Sequence, residues 1–182
     1  MNTTTEALTV PSRTATAGRR VATERGIEAV YRAEAARFRK LAAAVAGPDV
    51  ASDVVQDAFA LALRKSGSWR GDGPLEAWLW RLVLNAARDA GRRRLRRQRL
   101  GARLLQVTSR PVVPEVSDES AIDGPLRQLP PRQRDCVVLR YYGDLSYAEI
   151  AGVMGIATGT VGALLAKAHA ALRAALAQED QQ

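Results

Sequence analysis

Few side chains in this sequence could make or break a covalent bond. Cys136, in the run RDCVVLRYY, is the only cysteine, and His169 is the only histidine. A single cysteine forms no intramolecular disulfide, and the two residues together fall short of the four Cys and His ligands of a structural zinc site. No nucleophile or carboxylate cluster is spaced around His169 as acid–base or covalent catalysis would require. Cys136 lies in an apolar helical stretch that suits core packing. The sequence therefore predicts no enzyme, no metal site and no cofactor.

What the side chains can do is hold and read a polyanion. Arg81, Asn85, Arg88 and Arg92 recur at steps of three and four residues, which places them on one polar, basic face of a helix. The loop SWRGDGP ahead of that helix adds Trp69 and Arg70, and Trp80 lies within the helix itself. Exposed aromatic and amide groups can stack on and hydrogen-bond an unstacked base while arginines hold phosphates. For Trp69 and Trp80 core packing is the competing reading, and Trp78 is assigned to the core. Between Gly91 and Arg110 stand eight arginines and no acid, which taken alone reads as a solvated helix end.

The charge of the whole chain agrees with a polyanionic partner. Lys and Arg number 27 against 19 Asp and Glu, for a formal net charge of +8 and a pI near 10.5, which favours nucleic acid. No apolar run approaches the roughly 20 residues of a spanning helix, and no signal-peptide pattern is present. No membrane insertion and a cytoplasmic location are therefore expected.

The elements that must position these residues are all helical. Residues 1–26, rich in Thr, Ala and Arg, lack the large apolar side chains that offset the entropy of ordering, and are expected to form a disordered tail. From Ile27 the pattern is helical, with Val30, Tyr31, Phe38, Leu41 and Val45 on one side and Gly47–Pro48 as the stop. A second helix carries Val54, Val55, Ala58, Phe59 and Leu61 to Leu63 inward and leaves Asp53, Gln56 and Asp57 as a polar face. A third starts after Pro74, its buried stripe expected at Leu75, Trp78, Leu79, Leu82 and Ala86. Residues 98–123 pass from the arginine run into the acidic, proline-containing stretch PVVPEVSDESAID and read as a flexible linker. Residues 124–177 form a second helical domain, and 178–182 a short tail. The expected fold is all-α: a three-helix domain over 27–97 and a helix-turn-helix domain, joined by the linker.

Ala151, Gly155 and Val161 have the spacing of a helix-turn-helix, with Ile150, Met154, Ile156 and Leu164 or Leu165 apolar around them. A small Ala lets the two helices approach, Gly permits the turn, and the apolar set locks the angle at which the second helix enters a major groove. Ser146 and Glu149 read as a capping box for the first helix, and Thr158 as the cap of the second. The second helix, GTVGALLAKAHAAL, has no Arg or Lys among its first eight residues, whereas side-chain readout of guanine needs a long or forked donor. The Thr158 and Thr160 hydroxyls, the helix amides, Lys167 and His169 are left to contact phosphate, with Ala163 available for methyl contacts. Ser146, Val161 and Gly162 complete the expected DNA-facing set.

The stretches SDVVQDAFALAL, SWRGDGPLEAWLWRLVLNAARDAGRRR and LPPRQRDCVVLRYYGDLSYAEIAGVMGIATGTV resemble conserved regions 2 and 4 of the bacterial RNA polymerase sigma factors, in their extracytoplasmic-function (ECF) group. The resemblance implies a subunit that joins core RNA polymerase and directs it to promoter DNA, subject to an anti-sigma factor. It puts Asp53, Gln56 and Asp57 where the family docks on the polymerase. It puts Trp69, Arg70, Trp80, Arg81, Asn85, Arg88 and Arg92 in the region of minus-ten recognition, and the helix-turn-helix at the minus-thirty-five element. The family usually carries basic residues at the positions of Gly162 and Leu164, and this sequence departs from that pattern. Two other readings compete: a stand-alone helix-turn-helix regulator, and a helical protein that sequesters a partner. Neither has a use for both a docking face and a minus-ten-like helix.

Overall fold

The computed structural model describes residues 22–71, 73–105 and 123–179. Most of the expected N-terminal tail, the acidic stretch and the last three residues lie outside them. Seven α-helices occur among the described residues, with no strand.

Helix α1 (Glu24–Ala46) is capped by Thr23, whose Oγ1 accepts from the Gly26 amide at 3.1 Å, and ends at Gly47. Its inward side chains include Ile27, Val30, Phe38, Leu41 and Val45. Tyr31 is half-buried and meets Phe59 edge-on, with ring centroids 4.7 Å apart. Helix α2 (Ala51–Arg64) buries Val54, Val55, Ala58, Phe59 and Ala62. Leu63, expected inward, is exposed instead, because Ala62 takes the inward position on that turn.

Helix α3 (Leu75–Leu105) packs against both α1 and α2. Its buried stripe is Leu79, Trp80, Val83, Leu84 and Ala87, while Leu75, Trp78, Leu82 and Ala86 lie half-buried at the margin. The stripe is thus rotated by about one residue from the expected one, since α3 is covered from two sides and its inward arc is centred between α1 and α2. Gly91 is needed at the crossing with α1: a Cβ there would stand 3.0 Å from the Val45 carbonyl oxygen. Helix continues to Leu105, so residues 98–105, expected in the linker, are helical.

Helix α4 (Asp123–Gln128) leads into α5 (Pro131–Tyr141), α6 (Tyr147–Met154) and α7 (Thr158–Glu179). The capping box of α6 is formed: Glu149 N donates to Ser146 Oγ at 3.3 Å, and Ser146 N donates to Glu149 Oε2 at 2.8 Å. Gly155, at φ 66°, makes the left-handed turn into α7, a conformation that costs glycine nothing. Thr158 is the first residue of α7 and not its cap. The Ala157 carbonyl accepts the first amides of that helix, from Thr160 at 2.9 Å and Val161 at 3.2 Å. Leu139, Ile150, Val161, Leu165 and Ala168 close the core of this second unit.

The two units touch through α1 with α4 and α5, and through α3 with α6. No single helix among the described residues is long and apolar enough to cross a membrane.

Candidate nucleic-acid interface

The loop after α2 and the start of α3 build a pocket of about 240 Å³ lined by Ser68, Trp69, Arg70, Pro74, Trp78 and Arg81 among others. That volume is below the roughly 300–1,000 Å³ typical of sites for drug-sized ligands and is of the scale of a single base. Trp69 and Trp78 are half-buried, Arg70 and Arg81 exposed, so the pocket has aromatic walls and a cationic rim. Trp78, assigned to the core from its sequence position, is therefore also a wall of this pocket.

Trp80 does not belong to the interface. It is 1% exposed, and its ring lies against Phe38 with centroids 4.3 Å apart. Helical spacing points Trp80 in the direction opposite to that of Trp78, into the seam between α1 and α3.

Further along α3, Arg81, Asn85 and Arg92 are exposed on one stripe with half-buried Arg88. Arg92 pairs with Asp89 one turn away. Two of these groups are engaged across the molecule. The Arg81 guanidinium donates to the Gly152 carbonyl at 2.5 Å. Arg88 donates through Nε at 2.9 Å and Nη2 at 2.7 Å to one oxygen, Oδ2, of Asp135 on α5. The Asp135 side chain is 2% exposed, that of Arg88 29%. Burial pushes the Asp135 carboxyl above its ordinary pKa, while the charge and hydrogen bonds of Arg88, then the charges of Arg134 and Arg132, pull it back. The cleft between the units, about 730 Å³, is lined by these arginines with Arg92, Arg94 and Arg127, and Asp135 is the one carboxylate among its described lining residues.

Asp135 was not among the residues singled out in the sequence. Its signal was there: a lone acid inside the apolar run of α5 must find a partner or be excluded from the interior. Next to it, Cys136 is buried, and its thiol is raised to about 11 by burial and then by the Asp135 charge. Its Sγ contacts the Met154 sulfur at 3.3 Å.

In the helix-turn-helix, Thr158, Thr160, Ala163 and Lys167 are exposed, the last three on one stripe of α7. Val161 is fully buried and packs inside the unit, so it is removed from the DNA-facing set. It falls on the inward arc shared with Leu165 and Ala168. The Ser146 hydroxyl is committed to the capping box. Half-buried Gly162 faces the edge of the Tyr147 ring, and His169 Nε2 shares a hydrogen bond of 2.9 Å with the Tyr141 hydroxyl. On α2, Asp53, Gln56 and Asp57 are all exposed on one face, clear of the buried stripe that fixes the helix.

A basic, pocketed helical bundle beside a capped helix-turn-helix defines a DNA-binding protein of the all-α class. Comparison with known proteins places it more closely. Residues 30–99 match the model of sigma-70 region 2, and residues 121–172 that of sigma-70 region 4. The RNA polymerase sigma-H factor of Pseudomonas aeruginosa is 32% identical over 140 residues, covering 69% of this chain and 72% of the relative. The ECF sigma-E factor of Escherichia coli K12 is 32% identical over 135 residues, covering 66% and 70%. The chain belongs to the sigma-70 family, in its ECF group.

The ECF sigma factor SigM of Mycobacterium tuberculosis is 36% identical over 125 residues, 67% of this chain, and the match spans 62% of that relative's length. Among solved structures, CnrH in complex with the cytosolic domain of CnrY superposes with a TM-score of 0.65 at 26% identity, over 86% of this chain and 90% of that one. The Bartonella quintana sigma factor RpoE, in complex with the anti-sigma factor NepR, shares the fold with a TM-score of 0.58 at 23% identity, over 84% and 95%.

Proposed function

We propose that this chain is a dissociable promoter-recognition subunit of RNA polymerase, working in the cytoplasm and contributing no bond chemistry of its own. The observation that carries the reading is the base-sized pocket of Trp69, Arg70, Trp78 and Arg81, continued along α3 by exposed Asn85 and Arg92. In it, one unstacked base of the opened minus-ten strand is held between aromatic walls while the arginines take the flanking phosphates. The helix-turn-helix unit docks on the upstream element with Thr158, Thr160 and Lys167 on phosphate and Ala163 toward base methyl groups. Residues 27–97 and 124–177 act as the two DNA-binding domains, tethered so that modest affinities add as effective concentration.

The exposed face of Asp53, Gln56 and Asp57 is the docking surface for core polymerase. It lies on a helix whose opposite side is locked into the bundle, so it presents fixed charges to a basic partner. An anti-sigma protein is the further partner, a reading supported by the CnrY and NepR complexes of the two structural neighbours.

The test is reconstitution with core polymerase on a promoter library, with transcript starts read by sequencing. A shared pair of upstream and minus-ten elements is expected at the starts. Charge reversal at Asp53 and Asp57 with Gln56→Lys should abolish the complex while leaving helicity intact. Unchanged affinity for core polymerase in that triple variant, or starts without a common element, would refute the reading.

A further inference from the structure

Arg81 and Arg88 belong to the face proposed to hold the opened promoter strand, yet both are occupied by the other unit of the same chain. Arg81 is held by the Gly152 carbonyl and Arg88 by both of its hydrogen bonds to Asp135. A third arginine closes the same seam from α1. Arg37, oriented by Glu34, donates through Nε to the Tyr142 carbonyl at 3.2 Å and stands 3.6 Å from the Asp144 carboxylate.

We propose that the helix-turn-helix unit keeps the first unit in a self-closed state, in which Asp135 takes on Arg88 the place of a DNA phosphate. Carboxylate and phosphate present the same acceptors to a guanidinium, so the two compete for one site. The contact also buries the carboxylate that makes it. Desolvation of Asp135 opposes the attraction of Arg88, and such a pair adds little net stability while fixing one arrangement of the two units. Closure is therefore held by a small margin, and a promoter strand offering several phosphates displaces the single carboxylate. No second protein is required for this masking, which sets it apart from control by an anti-sigma partner.

The proposal rests on the reading that this face of α3 meets DNA, and the experiment separates the two. Affinity of the full chain for a fluorescent single-stranded oligonucleotide carrying the minus-ten element is measured for the wild type, Asn85→Ala, Arg37→Ala and Asp135→Ala, with small-angle X-ray scattering on each. Asn85 is exposed and outside the seam, so its variant tests the DNA face alone. Arg37 is outside the DNA face, so its variant tests closure alone, including the case in which Asp135→Ala fails to fold.

Because apparent affinity scales with the competent fraction, Arg37→Ala and Asp135→Ala should bind about threefold tighter or more, with an enlarged radius of gyration and unchanged circular dichroism. Weaker binding by Asn85→Ala with no gain and no expansion in Arg37→Ala overturns the closed state and leaves the DNA face standing. Unchanged binding by Asn85→Ala, with expansion of Arg37→Ala but no gain in affinity, overturns masking of this face.

Discussion

The ring of Trp80 lies 4.3 Å, centroid to centroid, from that of Phe38, and both side chains are fully buried where α3 crosses α1. Two residues away on the same helix, Trp78 lines the pocket opened to solvent by Trp69. Trp80→Ala should cost about 3–5 kcal/mol of stability, the usual range for emptying a large aromatic site. Trp69→Ala, at the half-buried rim, should cost far less and should instead weaken binding of single-stranded minus-ten DNA. Urea unfolding and oligonucleotide binding of the two variants check this; equal losses of stability would contradict the division of roles.

Selectivity should sit mainly in the first unit. Each mismatched base in a site read by side chains costs about 1–3 kcal/mol, whereas a helix that touches mostly phosphate loses little when a base is exchanged. Asn85→Ala should therefore change which promoters are used. Lys167→Ala should weaken binding across all sequences and reduce its salt dependence by about one counterion. In vitro transcription from paired promoter mutants decides it. An upstream-element change that abolishes initiation while minus-ten changes are tolerated would show that α7 reads bases through its small side chains.

The capping box of α6 makes a pH-dependent contribution. Hydrogen bonds from the Ser146 side chain, then from its backbone amide, hold the Glu149 carboxyl below its ordinary pKa. A depressed carboxyl stabilises the fold above its unfolded value, and the stabilisation is lost as pH falls through the folded one. Ser146→Ala should cost about 0.5–2 kcal/mol at neutral pH. The gap from the wild type should narrow once the pH drops below the ordinary Glu value of about 4.3. Denaturant midpoints across a pH series give the answer.

The Cys136 thiol should be chemically quiet in the folded chain. With its pKa raised to about 11, the fold favours the protonated form. That stabilisation is complete below the ordinary thiol pKa of about 8.5 and lost as pH rises through about 11. At pH 8 a thiol reagent should label the native protein slowly and the denatured protein at once. Rapid labelling of the native state would mean that α5 opens locally.

The parts of this molecule that were legible in the sequence are those decided by neighbours along the chain. Ser146 and Glu149 are three residues apart, and Gly155 sits at a turn that only its own backbone dictates. The polar face of Asp53, Gln56 and Asp57 followed from helical spacing alone. What could not be read depends on which element covers which. Trp80 was left open between stacking on a base and packing because nothing local says that Phe38 will lie over it. The stripe of α3 came out one residue off because two helices, and not one, press on it. Arg88 looked like a phosphate contact, and its partner Asp135, 47 residues away, is found only once α5 is laid against α3. Val161 was assigned to the DNA surface with its neighbours in sequence, although the arc it shares with Leu165 faces inward.

Gly162 carries a consequence of a different kind. A Cβ built there would meet nothing closer than the Tyr147 ring edge at 3.7 Å, an ordinary van der Waals distance, and exchanging Gly for Ala in an exposed helix interior favours the helix by about 1 kcal/mol. The position is vacant rather than constrained. A single substitution that adds a long donor there creates a new base contact without disturbing the caps, the turn or the core behind them. Over generations, the upstream half of the promoter code can drift in single steps, while the half read by α3 is anchored by residues that also hold the fold. A regulon controlled by such a chain gains and loses members through its upstream elements first.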